Sequence, residues 1–263
     1  GSVIEAVKIR CYSLRLPIPT NFIDEVKSRI VLNIRRRAKY FLFELDDAQV
    51  IIGHLGMSGR MKVYENKTSI PAASKHDHVD FELSNGYVVR YCDPRRFGLL
   101  TLSRIGELEK HHLLRTLGPE PLDSSFTVEV LLEQLSGRNI SIKRALLEQR
   151  TLAGLGNIYV SEILYRSGIS PNRMAANVKG GRADKLVEAI KSVLLTAIKA
   201  GGSSLRDYKQ PSGELGYFQN SFQVYGKQGL ACPDCYCDFE RTGGIKRVVQ
   251  NGRSTFYCSR VQG

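Results

Sequence analysis

Residues 154–171 read G-L-G-N-I-Y-V-S-E-I-L-Y-R-S-G-I-S-P, and the rest of the chain is organised around them. Gly154 and Gly156 let the backbone turn tightly and expose its amides. Asn157 stands where a helix should begin, as a good N-cap. Ile158, Ile163 and Leu164 recur on roughly one face, so the segment reads as a helix of a few turns, which Gly168 and Pro171 stop. A glycine turn feeding a helix N-terminus points N–H groups and the positive end of the helix dipole outward, which makes an anion site. On the local pattern alone an ordinary Asn-capped helical hairpin is the better fit; the basic chain around it favours the anion.

The chain has 263 residues, enough for two modest domains with separate cores. Its 38 Lys and Arg against 26 Asp and Glu give a formal net charge of +12, and the pI is about 9.5. That excess favours polyanions, with nucleic acid ahead of an acidic membrane because no basic amphipathic anchor is visible. No apolar run reaches membrane-span length and no secretory leader is apparent, so a cytoplasmic protein is expected. Four of the six cysteines fall between 232 and 258, a clustering that suggests metal rather than disulfides.

Residues 3–11 alternate as a strand, 20–28 make at most a short helix, and 30–45 hold two strand-like runs around R-R-R-A-K-Y. Further strand signals at 49–54, 60–64, 78–83, 87–92 and 99–102, with turns such as Asn85-Gly86, predict an antiparallel sandwich or barrel. Arg35, Arg36, Arg37 and Lys39 form the strongest basic cluster, and Tyr40 and Phe41 beside Lys39 are expected to desolvate it in part. G-H-L-G-M-S-G-R at 53–60 is a glycine-punctuated loop with Met57 at its tip. In K-H-D-H-V-D, His76 and His78 have the spacing of a metal pair but also of strand-edge polar packing. D-P-R-R-F-G at 93–98 places Arg95, Arg96 and Phe97 at a loop tip, where an exposed Phe beside Arg suits a wedge between stacked bases.

In the second half, L-G-P-E-P-L at 117–122 reads as a stiff hinge. Helical patterns follow at 126–135, 140–149, after Asn157 and at 182–199. In the last of these Leu186, Ile190, Leu194 and Ile198 make a stripe expected to be core. Residues 202–218 are rich in turn formers and predict a mobile loop or linker. Cys232-x-x-Cys235 reads as a zinc knuckle, and Cys258 follows a hairpin-like stretch turning at Asn251-Gly252.

The runs R-R-A-K-Y, H-L-G-M-S-G-R, K-H-D-H-V-D, Y-C-D-P-R-R-F-G, L-G-P-E-P-L, G-L-G-N-I-Y-V-S-E-I-L and V-Y-G-K-Q-G together resemble, in order and over nearly the whole chain, the bacterial formamidopyrimidine-DNA glycosylase family. The resemblance implies an α+β fold. Residues 1–115 would be an N-terminal antiparallel β-sandwich, the catalytic-type domain without the family's first helix, and 116–122 a hinge. A helix–two-turn–helix domain would span 123–222 and a zinc-finger-like hairpin 223–263. It implies a monomeric glycosylase/AP lyase of the bacterial cytoplasm and nucleoid. That activity excises oxidised purines such as 8-oxoguanine and formamidopyrimidines from double-stranded DNA, then cleaves the abasic strand by β,δ-elimination.

By the same resemblance Lys39 touches phosphates and assists elimination, and Arg253 lies on the phosphates next to the lesion. His76, Arg95, Arg138, Asn157 and Tyr225 are DNA ligands. Met57, Arg95 and Phe97 fill the void left by the extruded base, and the loop at 202–218 closes over that base. The family opens Pro-Glu, with the proline amine as nucleophile and the Glu as acid/base. This sequence starts Gly1-Ser2-Val3-Ile4, so the chain as written is expected to bind damaged DNA without excising the base. The family also closes its zinc site with a second C-x-x-C, which here reads Cys258-Ser259-Arg260-Val261. Cys232, Cys235 and Cys258 then hold Zn2+ in an incomplete site, with Cys237 as a substitute fourth ligand. Two other readings stand beside this one: a non-catalytic damaged-DNA-binding protein, and an RNA-binding zinc-ribbon protein.

Overall fold

A computed structural model describes residues 1–203, 216–235 and 239–263. Most of the turn-rich stretch 204–215, expected to close over a flipped base, and Cys237, the substitute fourth ligand, lie outside the described residues. The chain forms two compact units. One holds residues 1–115, the other 116–202 and 217–263.

In the first unit the alternating runs become eight strands in two antiparallel sheets. One sheet is ordered β1 (Ile4–Ile9), β6 (Asp77–Leu83), β7 (Val88–Cys92), β5 (Arg60–Tyr64). The other runs β2 (Val31–Arg37), β3 (Tyr40–Leu45), β4 (Gln49–His54), β8 (Leu99–Arg104). Ile4, Val79, Phe81 and Tyr91 from the first sheet pack with Leu45, Ile51 and Leu100 from the second, and the short α1 (Phe22–Val26) adds Phe22 and Val26. Arg37 pairs with Tyr40 across β2 and β3, so Ala38 and Lys39 form a two-residue hairpin turn, with Ala38 at φ 52°. Lys39 is exposed at that turn, which corrects the expectation that Tyr40 and Phe41 desolvate it.

In the second unit, side-chain caps start the first two helices. Thr127 accepts from the Val130 amide at α2 (Val128–Leu135), and Ser141 from the Arg144 amide at α3 (Ile142–Leu147). Next come α4 (Asn157–Arg166), α5 (Gly181–Lys199) and the single-turn α6 (Phe239–Thr242). The N-cap of α4 is Gly156, not Asn157. Asn157 is the first helical residue, and its side chain is used elsewhere. Leu131, Ile142, Leu146, Val160, Ile163, Leu186 and Ile190 are among the residues that fill the shared core. The stripe expected on α5 is corrected: Leu186 and Ile190 are buried, but Ile198 is 64% exposed. Successive four-residue steps drift about 40° around a helix, so a strict i, i+4 row leaves the core. The buried row is Ala183, Leu186, Val187, Ile190, Val193 and Ala197.

β9 (Lys246–Gln250) and β10 (Arg253–Tyr257) form a hairpin with Arg253 opposite Gln250. Asn251 and Gly252 both have positive φ, 49° and 72°, as a two-residue primed turn requires. The stretch expected as a hinge is fastened to the second unit. The Gly118 amide donates to the Gln149 carbonyl at 2.8 Å, and the Ala153 amide to the Pro119 carbonyl at 3.0 Å. No helix among the described residues is long and apolar enough to cross a membrane.

Candidate nucleic-acid interface

In the first unit the site is built on one buried carboxylate. Asp93 is fully buried after β7. Its Oδ1 accepts from the Ser58 hydroxyl at 2.7 Å and the Arg95 amide at 3.3 Å, and its Oδ2 from the Gly98 amide at 2.8 Å and the Tyr91 hydroxyl at 3.2 Å. Four donors on one carboxylate satisfy it without a cation. Burial, then Asp93, push the Tyr91 hydroxyl far above its ordinary value, so it stays a donor. A Cβ on Gly98 would lie 1.9 Å from that hydroxyl, so only glycine fits there. The sequence marked Asp93 as a turn former; its work is to tie both ends of the 94–98 loop and, through Ser58, the neighbouring loop.

What this clamp presents is exposed. Phe97 is 48% and Met57 69% exposed, and the Arg95 guanidinium carbon sits 4.5 Å from the centre of the Phe97 ring. Arg96 adopts φ 56°, which turns the chain between them. The two loops touch at Gly56 (φ +63°), where an added Cβ would lie 2.6 Å from the Phe97 carbonyl carbon. The Gly56 amide donates to His54 Nδ1 at 2.8 Å. Burial first, then Arg15 and Lys39, bring the His54 pKa down to about 4, so the ring is a neutral acceptor near neutral pH. His78 is buried with its ring 2.8 Å from the Asp93 carbonyl, while His76 is partly exposed. The alternating histidines therefore divide between strand packing and surface, and neither joins a cluster of three or more possible metal ligands among the described residues.

In the second unit the clamp is a backbone carbonyl. Asn157 Nδ2 and Lys143 Nζ both donate to the Ser254 carbonyl at 2.9 Å, and Lys143 also reaches Thr255 Oγ1 at 2.5 Å. Thr255 passes its own proton to Gln250 Oε1 at 2.7 Å. The first turns of α4 and α3 thus grip the strand that starts with the exposed Arg253. Lys143 is 1% exposed. Burial, then Arg253, lower its pKa to about 8. Sequence reading passed over it, because within S-I-K-R-A-L-L it looks like one more surface cation. Asn157 Oδ1 is buried with no protein partner among the described residues.

Tyr225 is held from behind. The fully buried Glu162 accepts from the amides of Gln223 at 2.8 Å, Val224 at 3.0 Å and Tyr225 at 2.8 Å. The Tyr225 ring packs edge-on against Phe256 and Phe222. Arg138 is committed to the Glu148 carboxylate at 2.8 Å and the Gln134 carbonyl at 2.7 Å. Glu148 also takes Arg150 at 3.0 Å and Arg144 at 3.5 Å, so one carboxylate gathers three guanidiniums.

The sulfurs of Cys232, Cys235 and Cys258 all lie within 4.8 Å of one another, a cluster that could hold a metal ion. Cys258 and Cys235 are 3.7 Å apart. Sulfurs at about 2.3 Å from a tetrahedral zinc would be about 3.8 Å apart, so the donor set fits three corners of such a site. Val261 packs against the cluster without offering a donor.

Residues 1–100 match the model of the formamidopyrimidine-DNA glycosylase N-terminal domain, and residues 117–209 that of the formamidopyrimidine-DNA glycosylase H2TH domain. The chain is 52% identical over 262 residues to a formamidopyrimidine-DNA glycosylase of Rhodospirillum rubrum, covering all of this chain and 93% of that protein. It is 45% identical to one of Ruegeria pomeroyi with the same coverage. Among solved structures it is similar to MutM (Fpg) of Thermus thermophilus, with a TM-score of 0.85, 34% identity, and coverage of 100% of this chain and 92% of that one. It is also similar to Lactococcus lactis Fpg in complex with DNA containing an abasic site, with a TM-score of 0.88, 32% identity, and coverage of 100% and 93%. With both halves matched and half the residues shared along its full length, the chain belongs to the formamidopyrimidine-DNA glycosylase family.

Proposed function

We propose that this protein is a base-excision-repair DNA glycosylase with abasic-site lyase activity, acting on double-stranded DNA that carries oxidised purines or abasic sites. The relatives bear the name formamidopyrimidine-DNA glycosylase, and Lactococcus lactis Fpg was solved with abasic-site DNA and with Fapy-dG-containing DNA. The observation in this chain that carries the reading is the Asp93 clamp, which holds an exposed Arg95–Phe97 pair beside Met57. Holding apolar side chains in water is unfavourable, and a gap in a base stack gives them a partner. Phe97 wedges, Met57 fills the void, and Arg95 reaches the base left unpaired. Lys39, His76, Asn157, Tyr225 and Arg253 meet phosphates, with Arg138 joining them from its ion pair. Zinc, held by Cys232, Cys235 and Cys258, would supply structure to the hairpin that carries Arg253. The protein works as a monomer at the bacterial nucleoid.

The chemistry needs an amine that attacks the sugar C1′ as the base leaves, forming an imine, followed by removal of a C2′ proton and loss of the phosphates. Among the residues of this chain, Lys39 is the amine that this reading places at the reaction. Lysine, with an unperturbed pKa of about 10.4, is a poor nucleophile when exposed, so Lys39 suits phosphate contact and help with elimination better than attack on the sugar.

Borohydride trapping on an 8-oxoguanine duplex and on an abasic duplex, with and without Lys39→Ala, tests this. Trapping is expected on the abasic duplex and weakened by Lys39→Ala. Absence of trapping on the abasic duplex would remove the lyase reading. Equal affinity for damaged and undamaged duplex would remove the repair reading itself.

A further inference from the structure

The three-cysteine cluster has a fourth polar neighbour that no cysteine spacing announces. Tyr165, near the end of α4, is 1% exposed, and its hydroxyl lies 3.1 Å from Cys232 Sγ. A buried hydroxyl needs a hydrogen-bond partner, and here its partners are the Cys232 sulfur and the Asp234 carboxylate. Val224, Ile245 and Val261 surround the pair and bring no donor to a metal.

We propose that Cys232, Cys235 and Cys258 form a three-thiolate site for a thiophilic divalent ion, with an exchangeable water in the fourth position and Tyr165 as the hydrogen-bond donor to Cys232. Three thiolates around a divalent ion leave one net negative charge in a largely apolar pocket. A bound thiolate carries no proton, so in the Tyr165–Cys232 contact the O–H donates, shared with the Asp234 carboxylate, and it spreads that charge away from the ion. Partners of this kind are worth about 10–100-fold in metal affinity. An all-sulfur protein set favours softer ions over harder ones, and an open corner lets the ion exchange faster than in a closed four-cysteine site. This inference concerns the chain's own departure at Val261 and does not rest on the proposed DNA chemistry.

The test is cobalt(II) and cadmium(II) titration of the metal-free full chain, read by absorption and by competition with a chromophoric chelator. The thiolate-to-metal charge-transfer intensity counts sulfurs, and the cobalt ligand-field bands distinguish three sulfurs plus oxygen from four sulfurs. The wild type is expected to show three thiolates, with no change in Cys237→Ser. Val261→Cys should raise the charge-transfer intensity by about a third, move the ligand-field bands to lower energy and slow exchange, as a closed site does. Tyr165→Phe should keep the three-thiolate spectrum and lose roughly 10–100-fold in affinity. Far-UV circular dichroism checks that its helices persist, and Val261→Cys tests the coordination number independently of that variant. A four-thiolate wild-type spectrum that Cys237→Ser abolishes would overturn the proposal, as would unchanged affinity in a folded Tyr165→Phe or the absence of any thiolate charge transfer.

Discussion

Asn157 donates its side-chain amide to the carbonyl of Ser254 at 2.9 Å, which binds the first residue of α4 to the residue after Arg253. The grip has a measurable worth. Asn157→Ala leaves Lys143 on the same oxygen and should cost about 1 kcal/mol in denaturant unfolding of the second unit. The hairpin then aims Arg253 less well, so affinity should fall several-fold for damaged and undamaged duplexes alike. A loss confined to damaged duplex would mean that Asn157 reads the lesion.

Lys143 makes stability depend on pH in a defined window. Its pKa is about 8 in the folded chain against an ordinary value of 10.5. Below pH 8 both states carry the proton, and the cost of burying the charge is fully present. Between 8 and 10.5 the unfolded chain binds more protons, so stability rises with pH. The full change is about 3 kcal/mol. Urea unfolding of the wild type and of Lys143→Met at pH 7 and pH 10.5 checks it, because the difference between the two should move in favour of the wild type. A difference that stays flat would mean that the ammonium is solvated in the native state.

Phe97 and Gly56 should separate recognition from affinity. Phe97→Ala removes the wedge and should abolish the preference for an abasic site while keeping most non-specific binding, since phosphate contacts dominate the latter. Gly56→Ala places a Cβ 2.6 Å from the Phe97 carbonyl carbon at φ +63°, so it should displace both loops and mimic Phe97→Ala without touching an exposed side chain. Fluorescence anisotropy on matched abasic and intact duplexes is the measurement. Equal loss on both would make Phe97 a structural residue.

Glu148 restrains three arginines, and its removal should strengthen binding. Glu148→Gln takes one negative charge from the cluster of Arg138, Arg144 and Arg150. If Arg138 then turns to a phosphate, the slope of log K against log salt steepens by about 0.9. An unchanged slope would place Arg138 away from DNA.

Most of the fold was legible because its signals are local. The strands are short, alternate cleanly, and are punctuated by turns such as Asn85-Gly86 and Asn251-Gly252. The helices begin at Thr127 and Ser141. Arg95 and Phe97 of the candidate site were legible as an exposed loop tip, whereas Arg253 was named only through the family resemblance. What stayed hidden are the residues that hold those positions. Asp93, Lys143, Glu162 and Tyr165 each look ordinary in their own stretch. Lys143 meets its partners 111 and 112 positions away, Glu162 meets its own 61 to 63 away, and Tyr165 meets Cys232 67 away. Periodicity carries no information at such separations. The α5 stripe failed for another reason, since a four-residue spacing follows a spiral rather than a face.

The distance along the chain from Lys143 to Ser254 also sets an order of events at the ribosome. At about 5–20 residues per second, α3 emerges roughly 5–20 s before the carbonyl its ammonium needs. Until then Lys143 keeps its water, because closing the core over a charge without acceptors is costly. The helices of the second unit can form early but cannot lock. The arrival of β10 decides when the whole unit commits, and a nascent chain stopped short of β10 would offer chaperones and proteases an open helical core.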